Sequence, residues 1–343
     1  MKLWFTKGVW KRKNIEKKIE KLSFSDIKNI AILRHAALGD MLLTRSFIIE
    51  ARKAFPNATI TLSVVSNYTR GAPEDIVDRV HVIHGSDQKT ASIRERYKRI
   101  KELGPQDIIF DLASSSRSTL TCLLTPATLK IGFPYKYFQA KLLYDIATPR
   151  SDLHFEGCEM MNMLNALGIK TAYPHRYDMP GKPLKREKPY IIYFIGASTP
   201  DKVWPAERFT KLLSLLSSDY PEHDHLVLEG IQEWETADKI LAPLKDNENI
   251  AVINADTIDE TESVLKGADL VISNDTGIRH LAIVSETPTV GIFFHDPFRY
   301  WPRFEIHDVA LPDEDGPASV DEVHRCCINV LSKTLKASNQ YSS

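Results

Sequence analysis

Ile30-Ala31-Ile32-Leu33-Arg34-His35-Ala36-Ala37-Leu38-Gly39-Asp40 runs from aliphatic residues through a turn of small side chains into a helical pattern that reaches Phe55. A buried strand feeding directly into a helix is the first half of a parallel βαβ unit. The alternation continues, with strands expected at 30–34, 59–65, 80–84, 108–111 and 129–132 and helices at 40–55, 73–78, 92–103 and 115–124. Residues 178–189 then bring three prolines, a glycine and clustered charge without periodicity, as a linker does. Beyond them the pattern restarts: strands at 190–195, 225–229, 250–253, 270–273 and 289–293, helices at 206–217, 233–241, 260–266, 277–284 and 320–335. The expected organisation is a basic extension (1–28), an α/β domain (29–177), a linker (178–189) and a second α/β domain (190–343). Parallel sheets of this kind bind ligands beyond the carboxyl ends of their strands, so two such halves are expected to enclose a cleft.

Bulk composition agrees with a folded two-domain chain: 343 residues, 43% hydrophobic and 26% charged. The four cysteines (Cys122, Cys158, Cys326, Cys327) have no zinc-ligand spacing and suit a reducing compartment. No apolar run approaches the ~18 residues of a membrane span, and no signal-peptide core follows the first lysine, so a cytoplasmic protein is expected. The net charge of -1 hides an asymmetry, because residues 1–28 carry Lys2, Lys7, Lys11, Arg12, Lys13, Lys17, Lys18, Lys21 and Lys28 against three acids. With Trp4, Phe5 and Trp10 among them, this segment reads either as a helix lying on an anionic membrane surface or as a solvated charged extension. No nucleic-acid motif follows it, so nucleic acid is not an expected partner.

Three turns carry the chemistry. In the first, Asp40 opens a helix and reads either as a cap for its amides or as a base facing the cleft. The second, Gly196-Ala197-Ser198-Thr199-Pro200-Asp201-Lys202-Val203-Trp204-Pro205, combines small residues, a hydroxyl and a point charge, a set that suits phosphate. The third, Ser273-Asn274-Asp275-Thr276-Gly277-Ile278-Arg279-His280, puts the free amides of Thr276 and Gly277 at a helix start, where an anion is favoured. His280 lies one turn further, on the side of Thr276, and reads as a structural hydrogen-bonder or a secondary ligand. One acid in the first half and two phosphate-type turns in the second suggest transfer from a nucleotide-activated donor. No Asp-x-Asp motif lies in these three turns, so no metal is expected.

With these residues in place the chain resembles the bacterial heptosyltransferases of glycosyltransferase family 9. The resemblance rests on Ile32 to Asp40 with Ala54-Phe55-Pro56-Asn57-Ala58, on Gly196 to Lys202 with Val203-Trp204-Pro205-Ala206-Glu207-Arg208-Phe209, and on Asn274 to Ala282 with Thr287-Pro288-Thr289-Val290 and Asp296-Pro297. It departs at Ala37, where the family usually has Ser, and at Ser46, where Pro is common. Residues 229–233, Glu-Gly-Ile-Gln-Glu, are less glycine-rich than in many members, where base and ribose contacts are expected.

The resemblance implies a GT-B fold, two Rossmann-like domains whose parallel sheets face a central cleft. It also implies a metal-independent, inverting transfer in which Asp40 is the base and Lys202 balances the leaving group. Gly39, Ser198, Asp275, Thr276, Gly277 and His280 would join Lys202 around the donor, most commonly ADP-heptose in the family. No cofactor is implied. The acceptor would be the inner core of lipopolysaccharide, a lipid-anchored glycan at the inner face of the inner membrane. Arg117, Lys136 and Lys141 are candidates to meet its acidic groups, or are ordinary surface charge. Alternatives are a UDP-sugar donor, a sugar-nucleotide epimerase of the same fold, and a non-catalytic sugar-nucleotide binding module.

Overall fold

The computed structural model describes residues 9–134, 136–304, 306–313 and 316–340. It divides into two compact units, 1–176 and 177–343. In the first, the elements run β1 (Trp10–Lys11), α1 (Ile15–Glu20), β2 (Asn29–Leu33), α2 (Leu38–Ala54), β3 (Thr59–Val65), β4 (Arg79–Ile83), α3 (Ile93–Lys101), β5 (Gln106–Asp111), α4 (Ser116–Leu124), β6 (Ala127–Gly132), α5 (Tyr137–Leu143), β7 (Ile146–Ala147) and α6 (Glu156–Asn165). The sheet order is β1-β7-β6-β5-β2-β3-β4, parallel except for β1, which runs antiparallel to β7.

The second unit contains β8 (Tyr190–Phe194), α7 (Ala206–Asp219), β9 (Asp224–Leu228), α8 (Asp238–Leu241), β10 (Ile250–Ile253), α9 (Ile258–Lys266), β11 (Leu270–Asn274), α10 (Gly277–Val284), β12 (Thr289–Ile292), β13 (His307–Ala310) and α11 (Val320–Gln340). Its six strands, ordered β10-β9-β8-β11-β12-β13, are all parallel. The central strands β8, β11 and β12 are buried along their whole length, as a parallel sheet covered on both faces requires. In both units the order reverses direction beside the first long strand, β2 or β8, which places the turns after those strands at a topological switch point.

Four local expectations are corrected. The basic segment is not a free extension beyond residue 9: Trp10 and Lys11 extend the sheet, Ile15 and Ile27 are buried, and Arg12 donates to the carbonyls of Lys141 and Tyr144. Trp4 and Phe5 lie outside the described residues. Residues 73–78 form turns instead of a helix, because Asp78 is already drawn to β3, its amide bonded to the Ile60 carbonyl and its carboxylate to the Ile60 amide and Arg52. Of residues 233–241 only Asp238–Leu241 is helical, since Glu235 folds back so that its carboxylate accepts from the Gln232 amide. Residues 178–189 are held against the second unit by Gly181 donating to Glu262, Leu184 to the Ser263 carbonyl and Lys266 to the Met179 carbonyl. Helices α5 and α6 have no counterpart among the expected elements, and α6 packs along α2, the helix that the first turn opens.

Candidate functional site

Helix α2 begins with Ala37 as N-cap, which contributes no side-chain bond, so Asp40 is the third helical residue and not the cap. A carboxylate there is still favoured by the helix dipole. Its fixed partner is Arg34, whose Nη2 lies 3.2 Å from Asp40 Oδ1. Arg34 is buried at 1% exposure and uses its fork fully: Nε and Nη2 donate to the Asp40 carbonyl, and Nη1 donates to the Leu112 carbonyl and to Glu156. A guanidinium satisfied on every side cannot swing, so it presents a constant positive charge to a carboxylate that keeps 23% of its side chain exposed. Gly39, beside Asp40, is buried within this first unit.

The turn after β5 comes against the same loop. Its Asp111 is completely buried, accepting from the Ala113 and Ser114 amides, Ser118 and Tyr144, and burial raises its pKa. Those bonds hold Ser114 in a left-handed conformation (φ 52°) and set Ser115 as the cap of α4. Ser115 Oγ meets His35 Nδ1 at 3.1 Å. Burial first, and then the charge of Arg117, push the His35 imidazole far below its usual range, so it is neutral. The structure therefore brings Arg117 to the Asp40 loop. Lys136 and Lys141 are elsewhere, exposed on α5, with Lys141 stacked on the Tyr137 ring at 4.7 Å.

In the second unit, Asn274 joins the two phosphate-type turns. Fully buried, it accepts from the Trp204 amide and donates to the carbonyls of Ile195 and Gly196, so it ties the turns after β8 and β11 together. Lys202 ends a single helical turn, Pro200–Lys202, and lines a cavity of about 250 Å³ with Asp275, Phe293, Phe294, His295, Asp296 and Tyr300. Thr276 caps α10 through its hydroxyl, and Gly277 opens the helix. His280 is buried, its ring packed edge-to-face on Tyr300 at 5.2 Å, so it bears on the cavity through Tyr300. Ser198 is exposed on the turn.

Three features of this unit escaped the sequence reading. Arg279 is completely buried beneath the α10 start, donating to the Tyr300 carbonyl, lying over Phe293 at 4.7 Å and 3.7 Å from Asp275. Burial lowers its pKa to about 10, so it stays charged and adds to the positive potential of the helix start. Tyr300 and His295, on the stretch after β12, face Lys202 across the cavity without any motif to mark them. Glu235 is a buried carboxylate wedged between two glycines: a Cβ on Gly196 would come within 2.2 Å of its Oε1, and one on Gly230 within 2.0 Å of its Oε2. Among the described residues no group of three or more His, Cys, Asp or Glu side chains is arranged to hold a metal ion.

Comparison with known proteins bears on this geometry. The family model for glycosyltransferase family 9 (heptosyltransferase) matches residues 96–311. Lipopolysaccharide core heptosyltransferase OpsX of Haemophilus influenzae is 20% identical over 302 residues, 84% of this chain and 86% of that one. Lipopolysaccharide heptosyltransferase 1 of Campylobacter coli is 28% identical over 116 residues, a match that spans 33% of this chain and 34% of that relative. Among solved structures, E. coli heptosyltransferase WaaC with ADP-2-deoxy-2-fluoro heptose superposes with a TM-score of 0.69 at 18% identity, covering 90% of this chain and 99% of that one. At that identity the likeness shows the fold, which is that of GT-B enzymes.

Proposed function

The chain belongs to glycosyltransferase family 9, and from that premise we propose that it transfers heptose from ADP-heptose, with inversion, to a lipopolysaccharide-core acceptor. The observation that carries this reading is the pairing of chemistries at the strand ends. Asp40 is a partly exposed carboxylate on an immobile guanidinium, and Lys202 stands at a cavity beside a helix start backed by buried Arg279. In the proposed step the acceptor hydroxyl oxygen bonds to the anomeric carbon while the bond from that carbon to the β-phosphate oxygen breaks. The hydroxyl proton passes to Asp40 and the electron pair leaves on ADP. Lys202 and the amides at Thr276 and Gly277 would take up the charge of the departing diphosphate, with no metal required. Asp275, Ser198 and, through Tyr300, His280 would orient the donor.

Support for ADP-heptose comes from the WaaC structure, whose ligand is an ADP-heptose analogue, and for the acceptor from the two lipopolysaccharide heptosyltransferases. A thermal-shift screen of ADP, UDP, GDP and their sugars tests the donor: stabilisation by ADP forms alone is expected, and preferential stabilisation by UDP forms overturns it. Arg117, beside the Asp40 loop, is the basic residue best placed for an acidic acceptor group. We further propose that the protein works at an anionic membrane surface. On α5, Phe138 and Leu142 are 60% and 64% exposed next to Lys136 and Lys141, an apolar and basic combination suited to the headgroup layer. Replacing both Phe138 and Leu142 by Ser is expected to weaken binding to phosphatidylglycerol vesicles; unchanged binding would remove α5 from the contact.

A further inference from the structure

Asp40 and Arg34 are the visible end of a longer chain of buried charge. Arg34 Nη1 is 3.0 Å from Glu156 Oε1, and Glu156, at 0% exposure, is also held by Arg150, whose Nη2 donates to the same Oε1 and whose Nε donates to Oε2 at 3.2 Å. Arg150, 4% exposed, is itself seated over the Phe133 ring at 5.3 Å. The sequence Asp40, Arg34, Glu156, Arg150 thus alternates in sign and sums to zero, drawn from the β2–α2 turn, the start of α6 and the segment before it.

Burying two guanidiniums and a carboxylate is costly unless each is paired, and a leucine-like core would fill the same space without that cost. The arrangement makes sense as an electrostatic setting. Alone beside Asp40, Arg34 would hold the carboxylate ionised but also make it a poor proton acceptor. Glu156 draws part of that field away, and Arg150 limits how much. We infer that Glu156 and Arg150 are positioning residues that fix the orientation and the effective charge of Arg34, and so the basicity of Asp40. This rests on the reading of Asp40 as the base.

Other charged groups stand around the network. Glu159 and His154, 3.3 Å apart, lie on and just before α6; burial, followed by Glu156, lifts Glu159 to about 7. Neutral His35 belongs to the turn itself, Arg117 and buried Asp111 to the β5–α4 side, and the Arg45–Asp75 pair to α2 and the loop packed on it. Glu159 titrates where a rate profile is read, so the Asp40 carboxyl must also be followed directly.

The test uses the full-length protein with aspartate-selective ¹³C labelling, the Asp40 signal identified by its loss in Asp40→Asn, alongside the pH dependence of kcat/KM for ADP-heptose. Glu156→Gln removes the counter-charge and is expected to move the Asp40 titration and the acid limb of the rate to lower pH, on the order of one pH unit. Arg150→Met is expected to move both the other way. The double variant restores neutrality and should return both towards wild type. If Glu156→Gln does not fold, Arg150→Met and the double variant decide between them. Folded variants that move the titration in one common direction, or not at all, overturn the inference, because loosened packing has no reason to reverse sign with charge. A carboxyl titration that moves as expected while the rate limb stays put leaves the electrostatic inference standing and removes Asp40 as the base.

Discussion

Replacing Asp40 by Asn tests its proposed role as the base separately from its part in the structure. The amide keeps the shape of the carboxylate and loses its charge and basicity. Arg34 is held mainly by bonds that survive: two to the Asp40 carbonyl, one to the Leu112 carbonyl and one to Glu156. What disappears is the 3.2 Å contact with Asp40 Oδ1. At that separation the gross attraction is about 5 kcal/mol at an effective dielectric of about 20, most of it offset by desolvation of the two ions, so the net loss of stability should be about 1 kcal/mol. Loss of a general base costs about 10²–10⁴ in rate, or ~3–5 kcal/mol of transition-state stabilisation. The variant should therefore melt within a few degrees of wild type, bind ADP with unchanged affinity by calorimetry, and release ADP from ADP-heptose at least a hundredfold more slowly with acceptor present. Turnover within tenfold of wild type would refute the base assignment. A parallel loss of ADP affinity would show that Asp40 acts through the donor.

Lys202→Ala should weaken ADP binding about tenfold and make the remaining affinity less sensitive to salt, since a point charge facing phosphate is screened by ions; an unchanged isotherm places Lys202 outside the site. Asn274→Ala leaves the Trp204 amide and two carbonyls without their buried partners, at a cost of roughly 2–4 kcal/mol, and should lower the melting temperature and ADP affinity together. Preserved affinity would mean that the two turns are held by other contacts. Glu159, raised to about 7 from an ordinary 4.5, binds a proton in the folded chain that the unfolded chain releases over that interval, so its contribution is lost as pH rises from 4.5 through 7. Glu159→Gln should match wild type near pH 4.5 and exceed it by up to ~3 kcal/mol above pH 7 in denaturation experiments, a difference that a pH-independent result would exclude.

How far the sequence reaches depends on the range of the interactions involved. Strand and helix periodicity is local, so the runs at 30–33, 59–65, 190–194, 270–274 and 289–292 declare a parallel α/β chain before any contact is known. The three turns are also legible, because a helix start after a buried strand, with Asp40, Lys202 or Thr276 on it, is written in consecutive residues. What local patterning misplaces is whatever a distant partner decides. Residues 73–78 look helical until Asp78 is claimed by β3, and Glu235 leaves its helix to lie between two glycines.

The burial of Arg34 and Arg279 cannot be read from their neighbours in sequence, since an arginine in a turn is ordinarily solvated. Its cause is the arrival of Glu156 from 122 residues away in one case, and of the Tyr300 carbonyl and the Gly291 opening in the other. The sequence by itself determined the two-sheet class, the position of the candidate turns and the family. The tertiary structure alone decided that Asp40 is paired rather than capping, that Asn274 locks two loops together, and that Asp40 heads a neutral row of four charges. Charges buried without water must find partners wherever the fold brings them, and chain distance does not limit where that is.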